Sequence, residues 1–236
     1  MSNLTKPAAG HHPSPTVEDY LAIIYVIQRD GEDVIAARLA QTLDVSAPTV
    51  TVTLKRMERD GWLESSGKKG IRLTPEGFEA ACTVIRRHML TEWLLARILK
   101  VPWSRIHNEA HQIEHSISRE IEMQMLTNLD NPQLCPHGNP LPGYENLSAN
   151  WIQLTAVPNQ TSFFIRRIHE TAEDDVELMQ FLENNGLIPG AEATLVESLP
   201  FNQTLTLKKD GQRITLGFVS AHFIWVELLK QDLSVF

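Results

Sequence analysis

Cysteine is scarce: Cys82 and Cys135 are the only two in 236 residues. That is too few for a disulfide framework, so a reducing cytoplasm is the expected setting. No run of about 20 apolar residues is present to span a bilayer. Residues 1–15 also lack the apolar core of a signal peptide, so no membrane association is expected. Positive charge is in short supply as well. Lys and Arg number 21 against 29 Asp and Glu, and the net charge of −8 excludes indiscriminate nucleic-acid binding. It does not exclude a local basic face. The length allows one large domain or two to three small ones, with enough apolar residues for a real core.

What the chain does hold is a concentration of imidazole and carboxylate between His88 and His115, with no thiolate among them. Four of the nine histidines fall there (His88, His107, His111 and His115), together with Glu92, Glu109 and Glu114. On a helix, His88 and Glu92 share a face, as do His111, Glu114 and His115, with His107 one turn before His111. Such donors suit a divalent first-row metal. The plainer alternative, a solvated helical face, accounts for one such pair better than for two on consecutive helices. His111 to His115 also fits H-x-x-E-H, the inverted zinc metalloprotease motif. That enzyme would need a third downstream ligand, an open metal position and a cleft, and nothing else in the chain speaks for them. No enzyme is expected.

Ahead of this stretch, the spacing predicts a helix from Thr16 or Val17, a short helix over 36–43 and a third opened by Ser46, with Pro48 in its first turn. Val50, Leu54 and Met57 face inward on the third helix. Its other side carries Pro48, Val52, Lys55, Arg56 and Arg59, flanked by Thr49 and Thr51. Gly61 ends it, and residues 62–74 read as a β-hairpin wing with Lys68 and Lys69 at a tight turn. Residues 46–72 hold six bases and three acids, a local +3 in a −8 protein. A recognition helix with a basic wing takes phosphates by charge and reads bases from its exposed face. The expected DNA contacts are Ser46, Pro48, Thr49, Thr51, Val52, Lys55, Arg56, Lys68 and Lys69. A winged-helix regulator with a non-metal ligand is the alternative that keeps this module and leaves the histidines on the surface.

Beyond Pro75, a helix is predicted to about Lys100 and another over 103–129, with Ile117, Ile121 and Met125 as an apolar stripe. Pairing of two copies would bury that excess and match a DNA site read as two half-sites. Residues 131–149 are rich in Pro and Gly and read as a linker; Cys135 and His137 could be ligands, but a turn held by Pro136 and Pro140 explains them more simply. Strands are then predicted over 151–157, 162–169, 193–197, 204–208, 213–216 and 222–227, around one helix at 172–184. Glu173, Asp174, Asp175 and Glu177 read as acids at the positive end of that helix.

Ser46-Ala47-Pro48-Thr49-Val50, Arg56-Met57-Glu58-Arg59-Asp60-Gly61, His107-Asn108-Glu109-Ala110, Glu114-His115 and Gly138-Asn139-Pro140, in this order, resemble the diphtheria toxin repressor family and its manganese transport regulator relatives. The resemblance covers nearly the whole chain. It implies a multidomain, mainly α fold with small β parts. A flexible tail (1–15) precedes a winged helix-turn-helix (16–75), a helical dimerisation and metal-binding domain (76–130), a Pro-rich linker (131–149) and an SH3-like, FeoA-like barrel (150–236). The activity implied is a metal-dependent repressor that binds operator DNA as a homodimer. Carried over, the primary metal site falls on Asp19, His111, Glu114 and His115, and the ancillary site on His88, Glu92, His107, Asp174 and Glu177. The chain has Asp19 where the iron branch places methionine, and Ala22 where the manganese branch has a further glutamate. Two carboxylates and two imidazoles without sulfur favour Mn²⁺ first and Fe²⁺ second, with Zn²⁺ able to bind in vitro.

Overall fold

The computed structural model describes residues 12–64 and 70–229 and divides the chain into two compact units. The first runs to His88 and takes in residues 113–118, and the second holds 89–112 and the chain from Arg119 onward.

Three helices build the first unit, α1 (Pro15–Arg29), α2 (Ala36–Thr42) and α3 (Ala47–Arg59), with the opening turns of α4 (Pro75–Leu94). α1 starts at Pro15, slightly ahead of the expected Thr16 or Val17. Extended Ser14 leads into a proline whose missing N–H falls where a helix has no partner for one. Val17, Tyr20, Leu21, Ile24, Tyr25 and Ile27 of α1 are buried, as are Leu39, Val50, Leu54 and Met57. Each large apolar side chain buried in this way contributes about 1.5–3 kcal/mol.

The hairpin after α3 is seen at its base, where Leu63 bridges Leu73 and the Glu64 amide donates to the Arg72 carbonyl at 2.9 Å. The turn expected at Lys68 and Lys69 falls in residues 65–69, which lie outside the described residues, as do residues 1–11. Thr74 closes the base: its Oγ1 accepts from the Gly77 amide at 3.0 Å and so caps α4. A Cβ on Gly77 would stand 2.0 Å from the Trp62 carbonyl oxygen, so only glycine allows this close approach.

In the second unit α4 passes into a π turn, Leu95–Leu99, stopped by left-handed Lys100. The single helix expected over 103–129 is broken into a 3-10 turn (Trp103–Arg105), α5 (Ile106–His111) and α6 (Arg119–Asn128). Between α5 and α6, Glu114–Ser116 forms a 3-10 turn that belongs to the first unit, and Ile117 is extended. Ser116 and Ser118 favour turns and caps over helix interiors, which accounts for the break. Within residues 131–149, the stretch 134–141 is packed rather than free. Cys135, His137, Gly138, Asn139, Pro140 and Leu141 are buried, and Leu134 bridges Pro140.

The chain then forms one antiparallel sheet in the order β1-β6-β2-β3-β4-β5. Its strands are β1 (Ile152–Gln153), β2 (Thr161–Ile168), β3 (Glu192–Leu199), β4 (Thr204–Lys209), β5 (Gln212–Gly217) and β6 (Ile224–Leu228). The expected strand over 151–157 shortens to two residues before a 3-10 turn at Leu154–Ala156. Helices α7 (Val176–Asn184) and α8 (Phe218–Ala221) complete the module. Its core runs through Phe163, Ile165, Met179, Leu182, Leu195, Leu207 and Val226. Bulges at Ile165/Arg167 and Leu195/Glu197 bend β2 and β3.

Candidate metal centres and DNA-reading face

α3 is capped by Ser46, whose Oγ accepts from the Thr49 amide at 3.3 Å. Val50, Thr53, Leu54 and Met57 anchor its inner face. Ser46, Pro48, Thr49, Thr51, Val52, Lys55 and Arg56 are exposed on the other, with Arg59 beside them. Val52 is the anomaly, an apolar side chain 69% exposed among polar ones.

Asp19, Glu114 and His115 come together in the first unit, their donor atoms within 4.8 Å of one another. His115 Nε2 lies 3.1 Å from Asp19 Oδ1 and 3.6 Å from Glu114 Oε1. The other ring nitrogen, Nδ1, is 2.5 Å from Glu18 Oε2. Buried Glu114 also pairs with His88 of the same unit. His111 closes α5 in the second unit and is exposed. The helix is interrupted over 112–118, so His111, Glu114 and His115 do not share a helical face, which removes the expected basis for a helical H-x-x-E-H motif.

A second group lies in the second unit. Glu92, His107 and Glu173 bring donors within 4.8 Å of one another. His107 Nδ1 is 2.7 Å from Glu173 Oε2 and 3.6 Å from Glu92 Oε1, and its Nε2 is 3.4 Å from Asp174 Oδ1. Glu177 is a correction: it is an exposed first-turn residue of α7, and Glu173 takes the inward place. The 3-10 turn at Glu170–Ala172 ends before the acidic run and leaves Glu173 buried, while Asp175 caps α7 through the Leu178 amide at 3.0 Å.

His137 and Cys135, explained above as turn residues, are buried beside this group. His137 Nδ1 lies 3.1 Å from Glu92 Oε1 and 3.4 Å from Glu173 Oε2, and Cys135 Sγ joins Glu92 and His137 within 4.8 Å. Sulfur is therefore close to the second group. Burial by itself would lower the His107 pKa, but the charge of Glu173 and hydrogen bonds to Asp174, Glu173 and Glu92 hold it well above 6.5. His137 is raised in the same way, with the charges of Glu173 and Glu92 overcoming burial. Burial, then the charges of Glu92 and Glu173, push the Cys135 thiol well up, so it is held protonated. The signal in the sequence was Cys-Pro-His, one sulfur and one nitrogen donor with a single residue between them.

Asn139 and Arg167 brace the second group. The Asn139 amide nitrogen donates to Glu173 Oε1 at 2.6 Å and to the Ile168 carbonyl at 2.8 Å, and its oxygen accepts from Arg167 Nε at 2.5 Å. The Glu183 carboxylate of α7 accepts from the Trp103 and Ser104 amides, at 2.9 and 3.2 Å, at the start of the segment that carries His107. Imidazole nitrogen and carboxylate oxygen, converging and mostly shielded from water, fit a divalent first-row cation.

An exposed recognition helix with two nitrogen-and-oxygen donor groups defines a metal-responsive DNA-binding protein. Family models agree segment by segment: iron dependent repressor, N-terminal DNA binding domain over residues 12–71; iron dependent repressor, metal binding and dimerisation domain over 74–143; and FeoA domain over 152–228. The chain is 34% identical over 223 residues to the iron-dependent repressor IdeR of Mycobacterium leprae, covering 90% of this chain and 96% of that protein. A manganese-dependent transcriptional repressor in complex with manganese matches with a TM-score of 0.78 at 27% identity, over 90% of this chain and 100% of that one. ScaR with bound Zn²⁺ matches with a TM-score of 0.76 at 28% identity, over 92% and 100%. The chain belongs to the iron- and manganese-dependent repressor family that includes the diphtheria toxin repressor. It is a divalent-metal-dependent transcriptional repressor, not an enzyme, and it binds operator DNA as a homodimer. Among the described residues no helix is long and apolar enough to cross a membrane.

Proposed function

We propose that this repressor acts in the cytoplasm as a sensor of Mn²⁺ first and Fe²⁺ second, through a primary group of Asp19, His111, Glu114 and His115. The observation that carries this reading is the sulfur-free convergence of Asp19, Glu114 and His115. His111 joins the set by resemblance. The ancillary group comprises His88, Glu92 and His107 with Glu173 and Asp174. Oxygen and imidazole donors select Mn²⁺ or Fe²⁺ by geometry, although raw affinity ranks Zn²⁺ above both.

A bound dication supplies the positive charge that lets neighbouring carboxylates share one small volume. Without it, Asp19 and Glu114 repel each other, and α1 is free to leave the 114–116 turn. With it, Asp19 holds α1 to that turn and the DNA-reading helices that pack with α1 are fixed in one pose. A binding difference of about 5.5 kcal/mol between poses moves a population from 1:99 to 99:1. In that pose the exposed face of α3 enters the major groove, where Lys55 and Arg56 take phosphates or guanine edges. Lys68 and Lys69 of the wing add phosphate contacts.

Operator binding measured side by side with Mn²⁺, Fe²⁺ and Zn²⁺ tests the metal assignment, and equal activation by all three would remove it. Asp19→Ala is expected to abolish metal-stimulated operator binding while circular dichroism stays unchanged. A variant that still responds to metal would exclude Asp19 as the link.

A further inference from the structure

We propose that Glu18 is a positioning residue for the primary group, holding the His115 ring in the one tautomer that aims Nε2 at Asp19 and Glu114. The inference rests on reading Asp19, Glu114 and His115 as metal donors.

Neighbouring residues on a helix point about 100° apart, so Glu18 and Asp19 would ordinarily serve different surroundings. Here they serve the two nitrogens of one ring. His115 Nδ1 is 2.5 Å from Glu18 Oε2, and Nε2 is 3.1 Å from Asp19 Oδ1 and 3.6 Å from Glu114 Oε1. A neutral imidazole carries one N–H and one lone pair, and an ionised carboxylate only accepts. A ring that gives its Nε2 lone pair to a cation keeps its proton on Nδ1, where Glu18 accepts it, with Nε2 facing the other two donors. A carboxylate behind a ligating histidine fixes the ring's orientation and makes its free nitrogen more basic. The Glu18 side chain is only 13% exposed, so water screens this pairing little. As an ordinary first-turn acid, Glu18 would instead lie out in solvent, favouring the helix dipole alone.

The test uses the full-length protein and its His115→Ala, Glu18→Gln and Glu18→Ala variants, with folding checked by circular dichroism. Mn²⁺ binding is read from the paramagnetic resonance of the free aquo ion. The His115 tautomer is read from imidazole ¹⁵N shifts in the protein loaded with diamagnetic Zn²⁺. Glu18→Ala is expected to weaken the primary Mn²⁺ site about 10- to 100-fold and to release the ring into a mixture of tautomers. Glu18→Gln keeps an oxygen that accepts from Nδ1–H, so it should preserve the tautomer and bind between wild type and Glu18→Ala. Wild-type binding by Glu18→Ala, with a site lost in His115→Ala, would overturn the positioning role alone. Full binding by His115→Ala would overturn the metal reading beneath it. Loss of the site in Glu18→Gln as complete as in His115→Ala, with the tautomer kept, would make Glu18 a ligand and also end the proposal.

Discussion

Single residues set both the chemistry and the pH response of this repressor. In the metal-free protein His107 is held charged by Glu173, Asp174 and Glu92, with its pKa well above 6.5. Stability from that pairing is fully present below the unfolded value of about 6.5 and is lost as pH rises through the raised folded value. A histidine must be neutral to ligate, so metal uptake at the ancillary group expels a proton and weakens as pH falls. Calorimetric titrations of Mn²⁺ in two buffers of different ionisation enthalpy should therefore give different apparent heats, and His107→Ala should narrow the gap. Identical heats for the wild-type protein would contradict this. Val52 acts at the same scale on the DNA side. An exposed valine offers only apolar contact, as to a thymine methyl, whereas glutamine can pair bidentately with adenine. Val52→Gln is expected to shift operator preference by about 1–3 kcal/mol at one base pair, visible in competition binding with single-base operator variants. Unchanged preference would place Val52 away from the bases.

At the scale of elements, the sequence was clearest where periodicity and burial agree. The β2 strand and the inward set of α3 follow from alternation and from 3.6-residue spacing, because each buries one regular face. The helix expected over 103–129 failed because its apolar spacing continues through residues 112–118 while the backbone there turns. Nothing in the spacing of Glu114 and His115 distinguishes a helical turn from a 3-10 turn. Residues 131–149 misled for a different reason. Proline and glycine mark mobile linkers and rigid packed straps alike, and only tertiary contacts separate them. Gly138 shows which this is: its φ is +88°, and a Cβ there would stand 1.9 Å from the Arg166 carbonyl oxygen. Gly138→Ala should lose about 1–3 kcal/mol from the backbone conformation alone. The collision with β2 adds to that loss and displaces His137 and Asn139. Urea unfolding measures the loss, and a wild-type midpoint would show that the strap yields.

Across the whole molecule, the stretch proposed to read DNA carries +3 in a chain of net charge −8, so affinity depends on presenting two such stretches together. The homodimer provides this. On α6, Ile121 and Met123 are 45% and 55% exposed while Met125 is buried, so the outward apolar surface is Ile121 with Met123 rather than the expected Ile117–Ile121–Met125 stripe. Placing a charge there, as in Met123→Glu, is expected to shift the protein to monomer in sedimentation and to reduce operator affinity at least tenfold. A variant that stays dimeric would locate the interface elsewhere.

The bond from Glu183 to the amides of Trp103 and Ser104 has a wider implication. Its partners stand 80 and 79 residues apart along the chain, and the same sheet module contributes Glu173. The C-terminal third is thus more than an appendage. A protease cut between the strap and α7, followed by release of the fragment, would leave a stub that keeps its promoter-reading helix but loses the ion proposed for the second donor group.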